Sequence, residues 1–338
     1  IAMTMNKPLR ISAVCLALLS GVSLTGPAAP RPAEAGTQAP IVSFRPDLSI
    51  GVEDGDENLM FGSVSRVDLD GEGNIYVLDY KFRKISVFDE DGRFLRTIAV
   101  PRGQGPREAT NLSGIAVTPD GTLFVNDMRK VIVFGPDGQF LRSFLVDFMI
   151  TSVGCPGTED LVAIGSHGGK ILHVFDKEGK LLASYGDPFS VPKEFGEMKE
   201  MPMFQAPMVF NCAKDGRIYV LDPHKYEISV FKDRRLDGIL KGKSDLFEPV
   251  RSTPANTAGR RGFISKAADI VRTGGLTFAL LSNPVPGAPQ RAEIFEGGKQ
   301  IGAVDLPGRP FCVDAQGRVY IAETDPFPRV VRYAVHRK

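Results

Sequence analysis

A short hairpin pattern recurs six times along the chain, and this repetition constrains the fold more than any other feature. In its clearest copy, Gly114–Asp127, two apolar runs flank the turn sequence PDGT, which is typical of two antiparallel strands joined by a tight turn. Recurrence at such intervals indicates a chain built from similar supersecondary units. The six copies of the second apolar run are IYVLD at Ile75–Asp79, LFVND at Leu123–Asp127, LVAIG at Leu161–Gly165, IYVLD at Ile218–Asp222, FALLS at Phe278–Ser282 and VYIAE at Val319–Glu323.

Most copies continue into a third apolar run, a second turn and a fourth run. In the first repeat, ISVF ending at Phe88 is followed by the turn sequence DEDGR and then by FLRTI. Each unit therefore predicts four short antiparallel strands, and one such sheet alone would expose both of its apolar faces. Six sheets arranged radially bury each face against a neighbour. The sequence thus predicts an all-β chain that folds as a six-bladed β-propeller of four-stranded antiparallel blades.

Closure of this ring requires a strand from elsewhere in the chain. The last repeat supplies strands near Phe311–Val313, Val319–Ala322 and Val330–Val335, and no fourth strand follows them. The run IVSF at Ile41–Phe44 is apolar and belongs to no repeat. We expect this N-terminal strand to complete the last blade, because pairing would remove an exposed sheet edge.

The segment GQGPREATNLSGIAVTPDGTLFVND, which begins at Gly103, resembles the NHL-repeat and related bacterial six-bladed β-propellers. In that family a Gly-x-Gly-Pro loop leads into a hairpin of this kind. The resemblance covers about Phe61 to Tyr333 and implies the propeller fold. It implies little about function, because the repeated residues are the structural ones.

The first 35 residues differ in composition from the rest. The basic segment MNKPLR from Met5 precedes the apolar run Ile11–Leu24, which is short for a membrane span, and the small-residue sequence AEA follows at Ala33–Ala35. This pattern is typical of a secretory signal peptide, with an uncleaved N-terminal anchor as the alternative. We therefore expect a signal segment with upstream residues over 1–35 and one propeller domain over 36–338. The mature chain would be periplasmic or extracellular and have no transmembrane segment.

The overall charge narrows the range of partners. The formal net charge is +1 at pH 7 and the chain contains no tryptophan. Nucleic-acid binding generally requires a strongly basic surface, so this class of partner is not expected. We expect a protein, a glycan or a small molecule instead.

Three long loops connect the fourth strand of one repeat to the first strand of the next, and therefore lie on one face of the ring. They are Pro101–Glu108, Asp187–Met208 and Lys241–Gly262. Loops on a rigid scaffold commonly carry function, so we expect a non-enzymatic binding scaffold that uses this long-loop face. The candidate ligand-binding residues, which lie in these loops and in other loops of the same face, are Arg102, Arg107, Glu108, Asn111, His167, His224 and Arg260.

Acidic residues recur directly after the second strand, at Asp79, Asp127, Asp222 and Glu323. A ring of carboxylates at one level can hold a metal or a substrate. The interpretation we favour is structural, because a carboxylate at this position of the repeat can accept backbone N–H groups of the following turn.

Two cysteines are placed on adjacent blades. Cys155 and Cys212 each lie six residues before the second strand of their repeat, which puts both on innermost strands. In an exported protein they either form a disulfide or remain as two buried thiols, and spacing alone does not decide between these states.

Metal binding and catalysis form the alternative function, a calcium- or zinc-dependent hydrolase or lyase at the channel mouth. Gluconolactonase-like propellers hold calcium with Glu, Asn and Asp side chains, for which Glu108, Asn111 and Asn211 are the candidates here, although no motif matches. Amidating lyases of the NHL type place zinc-binding His around the axis, and no first-strand segment of this chain contains His. The sequence therefore predicts no cofactor, with calcium and copper left open.

The copper alternative comes from four methionines in the loop Asp187–Met208. Thioethers at close spacing can bind Cu(I), whereas in an apolar lid the same side chains serve as packing. The four residues are Met198, Met201, Met203 and Met208.

Overall fold

The computed structural model describes residues 41–338 with gaps at 159, 208, 214, 250, 253–262, 265–266 and 282–289. Nearly all of its regular structure is β-strand. The strands in chain order are β1 Val42–Ile50, β2 Val64–Leu69, β3 Ile75–Asp79, β4 Lys84–Phe88, β5 Phe94–Ala99, β6 Leu112–Val117, β7 Leu123–Asp127, β8 Lys130–Phe134, β9 Phe140–Leu145, β10 Ser152–Gly154, β11 Leu161–His167, β12 Lys170–Phe175, β13 Leu181–Tyr185, β14 Phe210–Cys212, β15 Ile218–Leu221, β16 Glu227–Lys232, β17 Arg235–Lys241, β18 Arg251–Ser252, β19 Phe263–Ile264, β20 Ala267–Thr273, β21 Leu276–Leu281, β22 Gln290–Glu296, β23 Lys299–Leu306, β24 Arg309–Val313, β25 Val319–Glu323 and β26 Arg329–Arg337.

These strands form six four-stranded antiparallel sheets, which we number as blades. Blades 1 to 4 are β2–β5, β6–β9, β10–β13 and β14–β17, blade 5 is β20–β23, and blade 6 is β24–β26 together with β1. The first strands of successive blades contact one another around a closed ring, so they are the innermost strands. The predicted six-bladed propeller is confirmed. The short strands β18 and β19 pair with each other between blades 4 and 5, and β18 lies in the long loop Lys241–Gly262.

Closure of the ring by the N-terminal strand is also observed. β1 pairs antiparallel with β26, from Val42 opposite Arg337 to Ile50 opposite Val330. The strand is longer than the predicted Ile41–Phe44. The pairing is irregular next to Pro46, which lacks an N–H group and is tolerated because β1 is the outermost strand.

Apolar side chains lie between the blades rather than in one central core. Six buried clusters each join two neighbouring blades, and together they account for all six interfaces of the ring. In β3, for example, Tyr76 and Leu78 pack toward blade 2, whereas Ile75 and Val77 pack toward blade 6. Both faces of a second strand are therefore buried, which explains why these strands are continuous apolar runs without polar alternation.

The fifth repeat is shifted by one residue from the predicted alignment. Phe295 pairs with Thr277, as Phe88 pairs with Ile75 in blade 1, so the repeat contains TFALL rather than FALLS. The physical reason is the same burial of both faces. In a strand that is apolar throughout, a one-residue slip leaves no visible change in the pattern.

The long loop Asp187–Met208 contains the helical structure. A 3₁₀ segment spans Lys193–Glu200, with a break in its helical conformation at Gly196, and a single turn of α-helix, α1, spans Pro202–Gln205. Within the part of the chain that the structure describes, no helix has the length and hydropathy needed to cross a membrane.

Candidate functional site

The two ends of the ring differ in character. The hairpin end carries the turns that join first to second and third to fourth strands. The long-loop face carries the connections between blades and the loops from second to third strands. The predicted site residues lie on the long-loop face, whereas the large central cavity reaches the hairpin end. Each end is therefore a separate candidate site.

The recurring acidic residues are structural on the long-loop face. Asp79 accepts hydrogen bonds from the backbone N–H groups of Gly62 at 2.6 Å and Ser63 at 3.1 Å, and also from that of Phe82 at 3.0 Å. Asp127 likewise accepts from the two residues that precede β6, at 2.9 and 2.7 Å. The carboxylates thus join the connection that enters a blade to its second strand. This extends the predicted turn capping, because the main donors precede the first strand.

The later repeats vary this arrangement. Asp222 accepts the backbone N–H of His224 at 2.8 Å. Glu323 accepts hydrogen bonds from the Tyr333 hydroxyl and from Arg329. Among the described residues, no group of three or more His, Cys, Asp or Glu side chains has the arrangement of a metal site.

The loop Pro101–Glu108 is stabilised from within. The Glu108 carboxylate accepts the backbone N–H of Gly105 at 2.9 Å, and Ala109 N–H donates to the Pro101 carbonyl at 3.0 Å. Gly103 packs directly against the Glu108 carboxylate, so that any added Cβ would collide with it. The sequence placed Glu108 among ligand-binding residues, and the structure engages its carboxylate in loop closure.

Arg102 and Arg107 extend from this loop into solvent. Both are exposed, and neither side chain forms an ion pair or hydrogen bond within the described residues. Asn111, at the end of the same connection, is also exposed, and its backbone N–H is one of the groups bound by Asp127 at 2.7 Å. The Asn111 side chain therefore remains available on the surface.

Three large apolar side chains flank the same loop. Tyr80, Phe82 and Met128 are 50%, 48% and 44% exposed. Together with Arg102 and Arg107 they form a surface that we call the basic–aromatic patch.

The loops that carry the patch are hydrogen-bonded to one another. On one side, Val100 N–H donates to the Arg83 carbonyl at 3.1 Å. On the other side, Lys130 Nζ donates to the Gly105 carbonyl at 3.1 Å. Met128 adopts φ 52° in the turn between β7 and β8, a conformation that non-glycine residues rarely adopt. This strained turn holds an exposed methionine beside the loop.

The two candidate histidines have different surroundings. His167 is exposed and stacks on Phe148 with ring centroids 5.5 Å apart. His224 is buried beneath the long loop Asp187–Met208, where its Nε2 lies 3.0 Å from the Phe204 carbonyl and its ring meets Phe195 edge-on at 5.5 Å. His224 therefore anchors the loop to blade 4, whereas His167 stays accessible.

Several predicted residues cannot be placed. Arg260 and Met208 lie outside the described residues, and the side chains of Met198 and Met203 are not among those described either. Met201 is 43% exposed. The proposed copper set therefore stays a prediction.

The central cavity has a volume of about 620 Å³ and is lined by the first strands of all six blades and by the turns that follow them. On its wall, Arg66 Nη1 lies 3.6 Å from Asp269 Oδ2, and Arg309 Nε donates to the same oxygen at 2.7 Å. Asn211 Nδ2 crosses the channel to the Phe311 carbonyl at 3.4 Å. These contacts connect blades 1, 4, 5 and 6 across the channel.

Burial dominates the electrostatics of this network. It raises the pKa of Asp269 against the opposing effect of Arg309 and Arg66, and it lowers the pKa of Arg66. The sequence analysis missed these residues, although a signal was present. Charged side chains are uncommon on strands as buried as the first strands of a propeller.

Cys155 and Cys212 also line the cavity and form no disulfide with each other. The strands that carry them are close, since a Cβ added at Gly154 would lie 2.8 Å from the Cys212 sulfur. Burial raises the pKa of both thiols, so both remain protonated at neutral pH.

Comparisons with known proteins agree with this architecture. A family model, DUF5128, described as "6-bladed beta-propeller", matches residues 50–161. No curated protein sequence matches the chain. The match supports the propeller family in general, and the NHL-repeat assignment stays a prediction.

Solved structures share the fold at low sequence identity. A "Putative exported protein" from Bacteroides fragilis is 11% identical, with a TM-score of 0.54 over 88% of this chain and 96% of the other. A DUF4221 family member from Bacteroides vulgatus is 12% identical, with a TM-score of 0.52 over 88% and 99%. A catalytically inactive virginiamycin B lyase from Staphylococcus aureus, in a structure with quinupristin, is 12% identical, with a TM-score of 0.53 over 87% and 99%. At these identities the chain is similar to them in fold alone.

Proposed function

We propose that this chain is an exported, non-enzymatic binding protein whose partner is a protein that docks on the basic–aromatic patch of the long-loop face. The observation that carries the proposal is that Tyr80, Phe82 and Met128, each about half exposed, lie in turns hydrogen-bonded to the connection that carries the exposed Arg102 and Arg107. Isolated apolar side chains are ordinary on a protein surface, whereas a cluster of them beside charged groups is typical of an interaction site.

The composition of the patch favours a protein partner over a glycan or a small molecule. Aromatic residues, Met and Arg are the side chains enriched in protein interfaces and in their energetically dominant positions. The patch also consists of exposed loop side chains, none of which lines the central cavity, whereas small ligands are usually enclosed in a concave pocket.

Its charge favours a partner with an acidic surface. The guanidinium groups of Arg102 and Arg107 have no carboxylate partner among the described residues, so an incoming carboxylate would displace no existing ion pair. Two lysines add positive charge beside Phe82. The ammonium groups of Lys81 and Lys84 lie 5.8 and 5.7 Å from the centroid of its ring. Such complementarity mainly increases the association rate and the specificity.

The loops that carry the patch are already ordered. Asp79 and Asp127 hold the connections that enter blades 1 and 2, and Glu108 closes the intervening loop. A surface that is fixed before binding loses less conformational entropy on binding. The metal-dependent alternative has no comparable support, because no ligand cluster occurs within the described residues.

Capture from an envelope extract of the source cells tests the proposal. The immobilised mature chain is compared with the double variant Arg102→Glu/Arg107→Glu and with Phe82→Ala by quantitative mass spectrometry. A matched control is Lys232→Glu/Arg235→Glu, because these residues are exposed on the hairpin end and form no ion pair within the described residues. We expect both patch variants to lose a protein that the wild type and the control retain.

Two results of this experiment would contradict the proposal. Equal capture by the patch variants and the wild type, or selective loss by the hairpin-end control, would show that the patch is not the docking surface. Circular dichroism of each variant establishes that the fold is intact in every comparison.

A further inference from the structure

The central cavity has the dimensions and the access of a small-molecule site. Its volume of about 620 Å³ lies in the ordinary range for ligand pockets. Its lining includes the turn residues Asp70, Pro119 and Gly317 on the hairpin end and, within the described part of the chain, no residue of the three long loops, so the opening that the structure describes is at the hairpin end. This site is separate from the basic–aromatic patch and does not rest on the proposed function.

Arg66 is a cation on the cavity wall whose hydrogen-bonding capacity is unused. Its side chain is 22% exposed, and none of the hydrogen bonds within the described residues involves its guanidinium group. Asp269, its nearest carboxylate, lies 3.6 Å away and is already bound by Arg309 at 2.7 Å. The guanidinium has five N–H donors, and its geometry matches a carboxylate.

Arg66 and Asp269 stand at the same level of their first strands, as does Arg309. Blades 2 and 3 place Gly114 and Ser152 at this level. Charge therefore lines one half of the channel and small side chains leave space in the other half. An acceptor group of a ligand in that space faces the Arg66 guanidinium.

On the side of blades 2 to 4, the wall between Arg66 and the hairpin end is largely apolar. It is formed by aliphatic, aromatic and thiol side chains, and burial keeps the two thiols protonated. These residues are Ile115, Val153, Cys155, Phe210 and Cys212.

The carboxylates around the cavity limit the charge that a ligand can carry. Asp68 and Asp269 are near Arg66, while Asp70, Asp215 and Asp314 lie toward the turns. One ligand carboxylate can be compensated by Arg66, whereas a second would add to an excess of negative charge, because the lining holds five aspartates against two arginines, Arg66 and Arg272.

We propose that the channel cavity binds a small organic monocarboxylate with an apolar body, which enters from the hairpin end and places its carboxylate on Arg66. The acceptor class follows from the unused guanidinium donors, the apolar body from the lining, and the single charge from the surrounding carboxylates.

Isothermal titration calorimetry with 4-phenylbutyrate tests the proposal, with the neutral 4-phenylbutyramide and the dicarboxylate adipate as matched probes. We expect the monocarboxylate to bind in the micromolar to millimolar range and each other probe to bind about tenfold more weakly or worse, because a charge-assisted hydrogen bond is lost or a charge is left uncompensated.

Variants locate the site. Arg66→Met preserves the length of the side chain and leaves Asp269 paired with Arg309, so the fold is expected to persist. It should weaken 4-phenylbutyrate binding about tenfold or more and leave amide binding unchanged. Arg66→Lys should restore part of the affinity, and Arg102→Glu/Arg107→Glu should have no effect.

Three results would overturn the proposal. They are equal affinity for the carboxylate and its amide, equal carboxylate affinity of the wild type and Arg66→Met, and no binding of 4-phenylbutyrate at millimolar concentration. Preferential binding of a neutral sugar would also overturn it in favour of a hydroxyl-rich ligand. Partner capture by the Arg66→Met variant stays unchanged in every case, so this test and that of the patch fail independently.

Discussion

Truncation of Phe44 to alanine tests how the ring is held closed. Phe44 lies on β1, the outermost strand of blade 6. Its ring meets that of Phe278 of blade 5 edge-on at a centroid distance of 5.9 Å, and that of Tyr333 of blade 6 at 6.3 Å. A single side chain on the N-terminal strand therefore contacts both blades that flank this interface. Phe44→Ala removes both contacts and leaves a cavity between the blades.

The magnitude follows from the partial burial of this side chain. A fully buried Phe→Ala substitution costs about 3–5 kcal/mol. Phe44 is partly buried, so somewhat less than that cost applies, and its two aromatic contacts, about 0.5–1.5 kcal/mol each when complete, are part of it. We expect the free energy of unfolding to fall by about 2–3 kcal/mol.

Urea denaturation followed by far-ultraviolet circular dichroism and tyrosine fluorescence measures this change, since the chain has no tryptophan. Arg45→Ala is the matched control, because Arg45 is the next residue of the same strand and is exposed. We expect the control to change stability by less than about 0.5 kcal/mol. Equal destabilisation by both variants, or none by Phe44→Ala, would refute the view that β1 stabilises the ring through this side chain.

Three further predictions concern other parts of the ring. Asp127→Ala should destabilise the protein by about 1–3 kcal/mol in the same urea assay, because two backbone N–H groups lose their acceptor, while Asp127→Asn should cost less; an unchanged midpoint for Asp127→Ala would contradict the capping role. The pKa of Asp120 lies below its ordinary value because hydrogen bonds, the first of them from Lys177 of the next blade, outweigh the opposing effect of burial. This carboxylate therefore stabilises the fold above about pH 4, and the contribution is lost as the pH falls further. The wild type should exceed Lys177→Met in free energy of unfolding by about 1 kcal/mol or less, and this difference should shrink below pH 4. A difference that grows there would be inconsistent with the pairing. Finally, Cys155 and Cys212 should react with a thiol reagent at pH 8 more slowly in the native protein than in urea, as followed by mass spectrometry, because their raised pKa keeps the thiolate fraction low; equal rates would show that the native protein does not suppress the thiolate.

The fold was predictable because its signal is local and repeated. Each copy contains complete strand and turn patterns, such as Gly114–Asp127, and six copies leave radial arrangement as the way to bury every sheet face. The pairing of Ile41–Phe44 with the last blade followed from counting strands. The one-residue error in the fifth repeat has the opposite origin, since a strand buried on both faces carries no periodicity by which to set its register.

The exposure of the candidate site residues was likewise predictable only where it depends on local sequence. Exposure of Arg102 and Arg107 was predictable, because a loop of Gly, Pro and charged residues between two strands lies on the surface. Burial of His224 was not predictable, because it depends on where a separate loop places Phe195 and Phe204. The sequence specified which residue types occupy the loops, and tertiary packing decided which of them reach solvent.

What the amino-acid sequence by itself determined was the architecture of six similar blades, because strand formation and turn formation depend on neighbouring residues. What only the tertiary structure decided was the meeting of Arg66, Asp269 and Arg309 on the channel wall and the side from which that channel opens. Arg66 precedes Asp269 and Arg309 by more than two hundred positions in the chain, and the three residues come from three different blades. Their contacts depend on closure of the whole ring, which no local pattern encodes.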